Sequence, residues 1–182
     1  MKKVIHVLED SGIPYMATGA VVSSLQGEPR ATHDFDIVIS IELSRIDILL
    51  SAFPPPDYYV DIDAASEAIE RMGTFNLIDV KGGEKVDFWL LSNDPFDRQR
   101  FSRSISESIF GMRMKVSTPE DTILSKLRWS RLSGGSEKHF KDALRVYEVQ
   151  FGSLDIAYME LWANRLQVQD FWRRLKDDAR PV

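Results

Sequence analysis

Residues 34–39 read Asp34-Phe35-Asp36-Ile37-Val38-Ile39. Acid alternates with apolar residue, and the segment then turns wholly apolar, the pattern of a strand that starts at a polar mouth and runs into a core. On such a strand residues i and i+2 share a face, so Asp34 and Asp36 stand about 6.5–7 Å apart on one side. Two carboxylates so placed repel each other, and a divalent cation relieves the repulsion. Hard oxygen ligands of this kind suit Mg²⁺ or Mn²⁺. A third acid, Asp87, lies within Lys85-Val86-Asp87-Phe88-Trp89-Leu90, where an acid amid apolar residues needs an explanation. If that strand lies beside the first, the three carboxylates converge on a metal site. The alternatives are a solvent-facing acid pair at 34 and 36, and an Asp87 that merely pairs with Lys85.

Working outward, Tyr15-Met16-Ala17-Thr18 reads as a short buried strand and Ala20-Val21-Val22-Ser23-Ser24-Leu25 as the start of a helix, with Gly19 at the turn between them. A glycine there lets backbone N–H groups approach a phosphate at a helix N-terminus. Before this, residues 2–10 form an amphipathic helix closed by Gly12. After it, the spacing predicts a helix over 42–53 stopped by Pro54-Pro55-Pro56, a short strand over 58–62, a helix over 64–72, and a hairpin of strands 75–80 and 85–90 around Gly82-Gly83. Residues 93–103 read as polar and irregular. Residues 104–110 and 112–116 pair across Gly111. From Thr118, a strong N-cap followed by Pro119 and Asp121, helices are expected over 119–132, 137–150, 154–165 and 168–178. The fold class is therefore α+β. Its α/β core spans 1–116, and a C-terminal helical extension, 117–182, packs on it.

The whole chain has 182 residues, 43% hydrophobic and 28% charged, with no cysteine. That excludes intrinsic disorder, a disulfide scaffold, a thiolate zinc site and a cysteine nucleophile. No apolar run approaches the ~20 residues of a membrane span, and the N-terminus meets acid too early for a signal peptide. The expectation is a cytoplasmic protein with no membrane partner. The net charge of −5 is uneven: residues 1–97 hold 7 Lys+Arg against 17 Asp+Glu, and residues 98–145 hold 11 against 5. An acidic half followed by a basic segment suits the holding of cations by one and of an anion by the other; merely solvated faces are the bland alternative. Phosphate seat, paired acids and basic segment together describe a site for a nucleoside triphosphate.

These residues resemble the nucleotidyltransferase superfamily with the DNA polymerase β-like fold. Its motif is an apolar residue, Gly, then Gly or Ser, nine to thirteen residues, then Asp-apolar-Asp-apolar. Here Gly19-Ala20 precedes thirteen residues and then Asp34-Phe35-Asp36-Ile37, and a third family acid on a later strand matches Asp87. Residues 27–36, Gly-Glu-Pro-Arg-Ala-Thr-His-Asp-Phe-Asp, and the tail segment Glu120-Asp121-Thr122-Ile123-Leu124-Ser125-Lys126-Leu127-Arg128-Trp129 look like bacterial relatives of AbiEii-type toxins and minimal nucleotidyltransferases. The resemblance implies transfer of a nucleoside monophosphate from an NTP to an acceptor hydroxyl, with Asp34, Asp36 and Asp87 as catalytic and metal-holding residues for Mg²⁺ or Mn²⁺. It places Thr18, Gly19 and Ala20 at the nucleotide. The acceptor it implies is RNA such as tRNA, a protein side chain, or a small molecule, antibiotics included. Ala20 departs from the pattern, since the family's serine hydroxyl is absent there. That keeps a second reading open: a degenerate domain of a toxin–antitoxin pair that acts by binding a partner protein.

Other residues carry weaker signals. Arg30 offers a fork to a phosphate and Lys126 a point charge to the β- or γ-phosphate; a solvated arginine and an exposed lysine are the plain alternatives. His33 stands beside Asp34. Asp142 is expected to pair with Lys126, Arg128 or Arg145. Trp129, Trp162 and Trp172 read as core, and Arg98, Arg100, Arg103, Arg113 and Lys115 as a basic strip for RNA without the aromatic alternation of a single-strand path.

Overall fold

The computed structural model describes residues 1–29, 32, 34–109 and 111–180; Arg30 and His33 lie outside the described residues. In chain order the elements are α1 (Lys2–Asp10), β1 (Tyr15–Thr18), α2 (Gly19–Gln26), β2 (Asp34–Ile39), α3 (Ile46–Ser51), β3 (Tyr58–Val60), α4 (Ile62–Arg71), β4 (Thr74–Asp79), β5 (Lys85–Leu90), α5 (Pro95–Ser102), β6 (Ile105–Ile109), β7 (Met112–Val116), α6 (Pro119–Leu132), α7 (Glu137–Gln150), α8 (Ile156–Arg165) and α9 (Gln169–Asp178). No described helix is long and apolar enough to cross a membrane. The chain divides into two compact units, residues 1–19 with 32–116 and residues 20–31 with 117–182.

The first unit is built on a seven-stranded mixed sheet in the order β3-β4-β5-β2-β1-β7-β6. β2 runs parallel to β5 and antiparallel to β1, and β1 is parallel to β7. Alternation along each strand sorts the side chains. Phe35, Ile37, Ile39, Val86, Phe88, Leu90, Phe75, Leu77 and Ala17 fall on one face and are buried. Phe75 and Phe88 stack there with centroids 4.9 Å apart. Val4 of α1 lines a small recess with Phe53, Leu77 and Val86, so α1 covers this apolar face. Burying each such large side chain contributes about 1.5–3 kcal/mol, which makes the register of the strands costly to shift. The other face receives the polar residues of the same strands, in register.

The second unit is helical. Ile123, Leu124, Leu127, Phe140, Ala143, Val146, Met159, Trp162, Trp172 and Leu175 form its core, and Tyr147 meets Phe151 and Trp172 edge-on. α6 opens as its sequence suggests: the Thr118 hydroxyl accepts from the Asp121 N–H at 3.2 Å and donates to its carboxylate at 2.9 Å. The Tyr158 hydroxyl donates to the same fully buried carboxylate at 2.6 Å. α2 belongs to this unit. A Cβ at Gly27 would lie 2.8 Å from the Val146 nitrogen, so this glycine lets the end of α2 lie on the backbone of α7. The Gln26 amide donates to the Ser117 carbonyl at 2.7 Å, and the Gln150 amide to the Gln26 carbonyl at 2.9 Å.

Three expectations are corrected. Residues 93–103 are not irregular, because α5 fills most of them. Asp94 caps it by accepting from the N–H groups of Phe96 and Asp97, Pro95 takes the first position, and Phe96 is its one buried anchor. A helix with a single apolar anchor has no hydrophobic period to read, although the Asp-Pro cap was there. The helix expected over 42–53 is a 3₁₀ turn, Leu43–Arg45, followed by the six-residue α3, with Leu43 exposed. Trp129 is exposed rather than core, while Trp162 and Trp172 are buried.

Candidate functional site

The polar face of the sheet in the first unit carries the acids. Parallel pairing of β2 with β5 sets Asp36 opposite Asp87 and Asp34 opposite Lys85. Thr18 pairs with Asp36 from β1, and Asn76 with Asp87 from β4. One row across four strands therefore reads Thr18, Asp36, Asp87, Asn76, with neighbouring strands about 4.8 Å apart. The three acids thus share a face, though they come from strands joined by a long excursion of the chain.

A cation already stands among them. The Lys85 Nζ lies 3.0 Å from Asp87 Oδ2 and 3.8 Å from Asp34 Oδ1. The bond to Asp87, aided by the fields of Asp87, Asp34 and Asp36, holds the Lys85 ammonium above the ordinary lysine range; burial opposes this. Asp87 is mostly covered, with its side chain 23% exposed, whereas that of Asp34 is 61% exposed.

Asp36 is fixed differently. Its Oδ1 accepts a hydrogen bond from Trp89 Nε1 at 3.1 Å. Its other edge lies against Gly19, where an added Cβ would overlap Oδ2 and sit 2.6 Å from Cγ. Gly19 also has φ +74°, a conformation that L side chains rarely adopt. The glycine is thus required by the carboxylate itself, a reason beyond the approach to phosphate expected from sequence. Trp89 was missed as a site residue, although its position two after Asp87 on an alternating strand places it on the same face.

Among the described residues no group of three His, Cys, Asp or Glu side chains is gathered as a ready metal cage. Three carboxylates, hard oxygen donors of the class a divalent cation takes, nonetheless share one face, and the Lys85 ammonium bridges two of them.

Of the remaining sequence-predicted residues, Ala20, Lys126 and Arg128 lie in the second unit and the basic strip in the first, while Arg30 and His33 are outside the described residues. Ala20 is half-buried in the first turn of α2, and its carbonyl accepts from the Ser23 hydroxyl at 3.1 Å. Lys126 is buried in α6 and ion-paired with Asp142 of α7, Nζ to Oδ2 2.7 Å. Arg128 belongs to the same helix. In the first unit, Arg100 is turned to Asp97 at 3.1 Å and Arg98 to Asn93 at 2.7 Å, which ties two of the basic strip to local partners.

No family model matches the chain, and no curated protein matches it. Solved structures do. It is similar to ANT(2″)-Ia in a crystal structure with adenylyl-2″-tobramycin, at 14% identity over 92% of this chain and 95% of that one, TM-score 0.58. A solution structure of the antibiotic-resistance factor ANT(2″)-Ia matches at 13% identity over 97% and 92%, TM-score 0.56. An antigenic nucleotidyltransferase-like protein from Paracoccidioides brasiliensis matches at 17% identity over 98% and 91%, TM-score 0.54. A mixed sheet flanked by helices, with a helical extension and full-length likeness to these proteins, gives the chain the polymerase β-like nucleotidyltransferase fold.

Proposed function

We propose that the chain is a divalent-cation-dependent nucleotidyltransferase, which moves a nucleoside monophosphate from an NTP to an acceptor hydroxyl. The observation that carries this reading is the register of β2 and β5: it sets Asp36 opposite Asp87 on the polar face of the sheet, with Asp34 alongside and a cationic group lodged between Asp34 and Asp87. Asp34, Asp36 and Asp87 would hold Mg²⁺ or Mn²⁺, which when bound stabilises the entering and leaving oxygens of an in-line displacement. The acceptor oxygen bonds to the α-phosphorus as the bond to the bridging oxygen breaks, and pyrophosphate leaves. The hydroxyl proton passes to the Asp87 carboxylate. Trp89 and Gly19 keep the Asp36 carboxylate in one orientation, which spares the reorganisation that a free side chain would need.

Thr18, Gly19 and Ala20 are assigned to the nucleotide phosphates through backbone N–H groups, so the missing hydroxyl at position 20 removes one bond and leaves the rest. Arg30 is assigned to a phosphate. For the acceptor, ANT(2″)-Ia was solved with an adenylylated tobramycin, so an aminoglycoside belongs among the hydroxyls offered, beside bulk tRNA and protein.

The test is label transfer. The protein is incubated with Mg²⁺ and each α-labelled NTP, with tRNA, tobramycin or a protein acceptor, beside an Asp36→Asn variant. Transfer by the parent and none by the variant is the expected result. A second reading is favoured by Ala20, which lacks the serine hydroxyl of the family pattern: a catalytically degenerate domain that binds a partner protein in a toxin–antitoxin pair. Absence of transfer to every acceptor, with no thermal shift on adding Mg²⁺ and NTP, would select it.

A further inference from the structure

The position of Lys85 has a consequence for how this site takes its metal. Lys85 and Asp87 are i and i+2 on β5, and Lys85 is the in-register partner of Asp34 on β2. Strand geometry therefore forces the ammonium onto the face of the three carboxylates. Its Nζ reaches both Asp87, at 3.0 Å, and Asp34, at 3.8 Å. The Lys85 side chain is 38% exposed, so it has open solvent to move into. A divalent cation bound to Asp34 and Asp87 needs the same oxygens and carries the same sign of charge. Both cannot stay.

We infer that Lys85 is the site's resident counter-ion, which a divalent cation must displace, and that it thereby sets the metal concentration at which the site fills. This rests on the metal-site reading above. Without a metal, the ammonium screens three like charges that would otherwise repel across two strands. With a metal, the displaced Lys85 becomes a free cation at the rim of the carboxylate face. An exposed ion pair of this kind contributes modestly, and its loss translates into about a twofold to fivefold change in metal affinity.

Mn²⁺ is the probe, used alone, with free ion read by electron paramagnetic resonance. Five proteins are compared at low ionic strength: the parent, Lys85→Met, Lys85→Arg, Asp36→Asn and Lys81→Met. Lys81 pairs with Asp57 at 2.7 Å in the turn before β5, so its loss controls for net charge alone. The expected result is about fivefold tighter Mn²⁺ binding by Lys85→Met, near-parent binding by Lys85→Arg and Lys81→Met, and weakened binding by Asp36→Asn. Acylation of the Lys85 amine by an N-hydroxysuccinimide ester, read by mass spectrometry, should rise several-fold in the parent when Mn²⁺ is added. Should Lys85→Met be unstable in chelator, Mn²⁺ should restore its melting temperature by more than it raises the parent's. Mn²⁺ binding by the parent that Lys85→Met leaves equal or weaker, or Lys85 acylation indifferent to Mn²⁺, would overturn the counter-ion role and leave the metal site standing. Folded parent and folded Lys85→Met that both fail to bind Mn²⁺ would overturn the two together.

Discussion

Two residues show how closely the carboxylate face is fitted. Gly19 holds φ +74° with the Asp36 carboxylate in the space that a Cβ would take. Gly19→Ala should cost about 1–2 kcal/mol from backbone strain alone, with the collision on Asp36 added to that. Urea unfolding should show the loss, and Trp89 fluorescence should change, since its indole bonds the carboxylate that must move. Lys126 makes the opposite case, a charge used for structure. It and Asp142 are 8% and 10% exposed as side chains. Lys126→Met breaks this nearly buried ion pair, so it should destabilise by about 3–5 kcal/mol, and the double variant Lys126→Met/Asp142→Leu should recover most of it. A double-mutant cycle in urea measures both. Recovery would show that this lysine holds α6 to α7 as a pair; no loss in the single variant would show that it is free for an anion.

At the scale of elements, α5 depends on its ends. Asp94 accepts two N–H groups at the start of the helix, at 2.9 and 3.2 Å, and Phe96 is the one buried side chain. Asp94→Ala should lower stability by about 1 kcal/mol, with amide exchange faster across 95–102 and unchanged in β5. The contrast with α6 is instructive. There the cap and a buried apolar stripe of Ile123, Leu124 and Leu127 agree, so sequence and structure coincide over Pro119–Leu132. In α5 the cap stands almost alone, and a reading based on hydrophobic period passed it over. The strands were legible for the same reason as α6: β2 and β5 alternate, and their bounds came out as read.

For the molecule as a whole, alkaline stability should carry the mark of Tyr15. Burial, then the hydrogen bond its hydroxyl gives Glu9 and the charge of that carboxylate, push the phenol above its ordinary value of about 10; the Lys115 N–H donating to it acts in the other direction. The folded protein therefore keeps a proton that the unfolded chain releases above pH 10. Where the unfolded state binds fewer protons, stability falls as pH rises. Melting temperature should decline from about pH 10 upward, and Tyr15→Phe should flatten that decline while lowering stability at neutral pH by about 1 kcal/mol for the lost hydrogen bonds.

What the sequence determined by itself was local. Alternation in Asp34–Ile39 and Lys85–Leu90 fixed which residues share a face, because a strand's side-chain period is two whatever its neighbours are. Thr118, Pro119 and Asp121 fixed where α6 begins, because a cap is made within one turn. The tertiary structure decided the rest, above all the neighbours. Asp36 and Trp89 are 53 residues apart, and no local rule sets β5 beside β2 or makes them parallel. That choice follows from burying Phe35, Ile37, Val86 and Phe88 on one common face, which carries every intervening polar side chain to the other. The grouping of α2 with the later helices, the burial of Lys126 and the lodging of Lys85 between Asp34 and Asp87 are likewise products of packing, since each depends on residues distant in the chain arriving at one place.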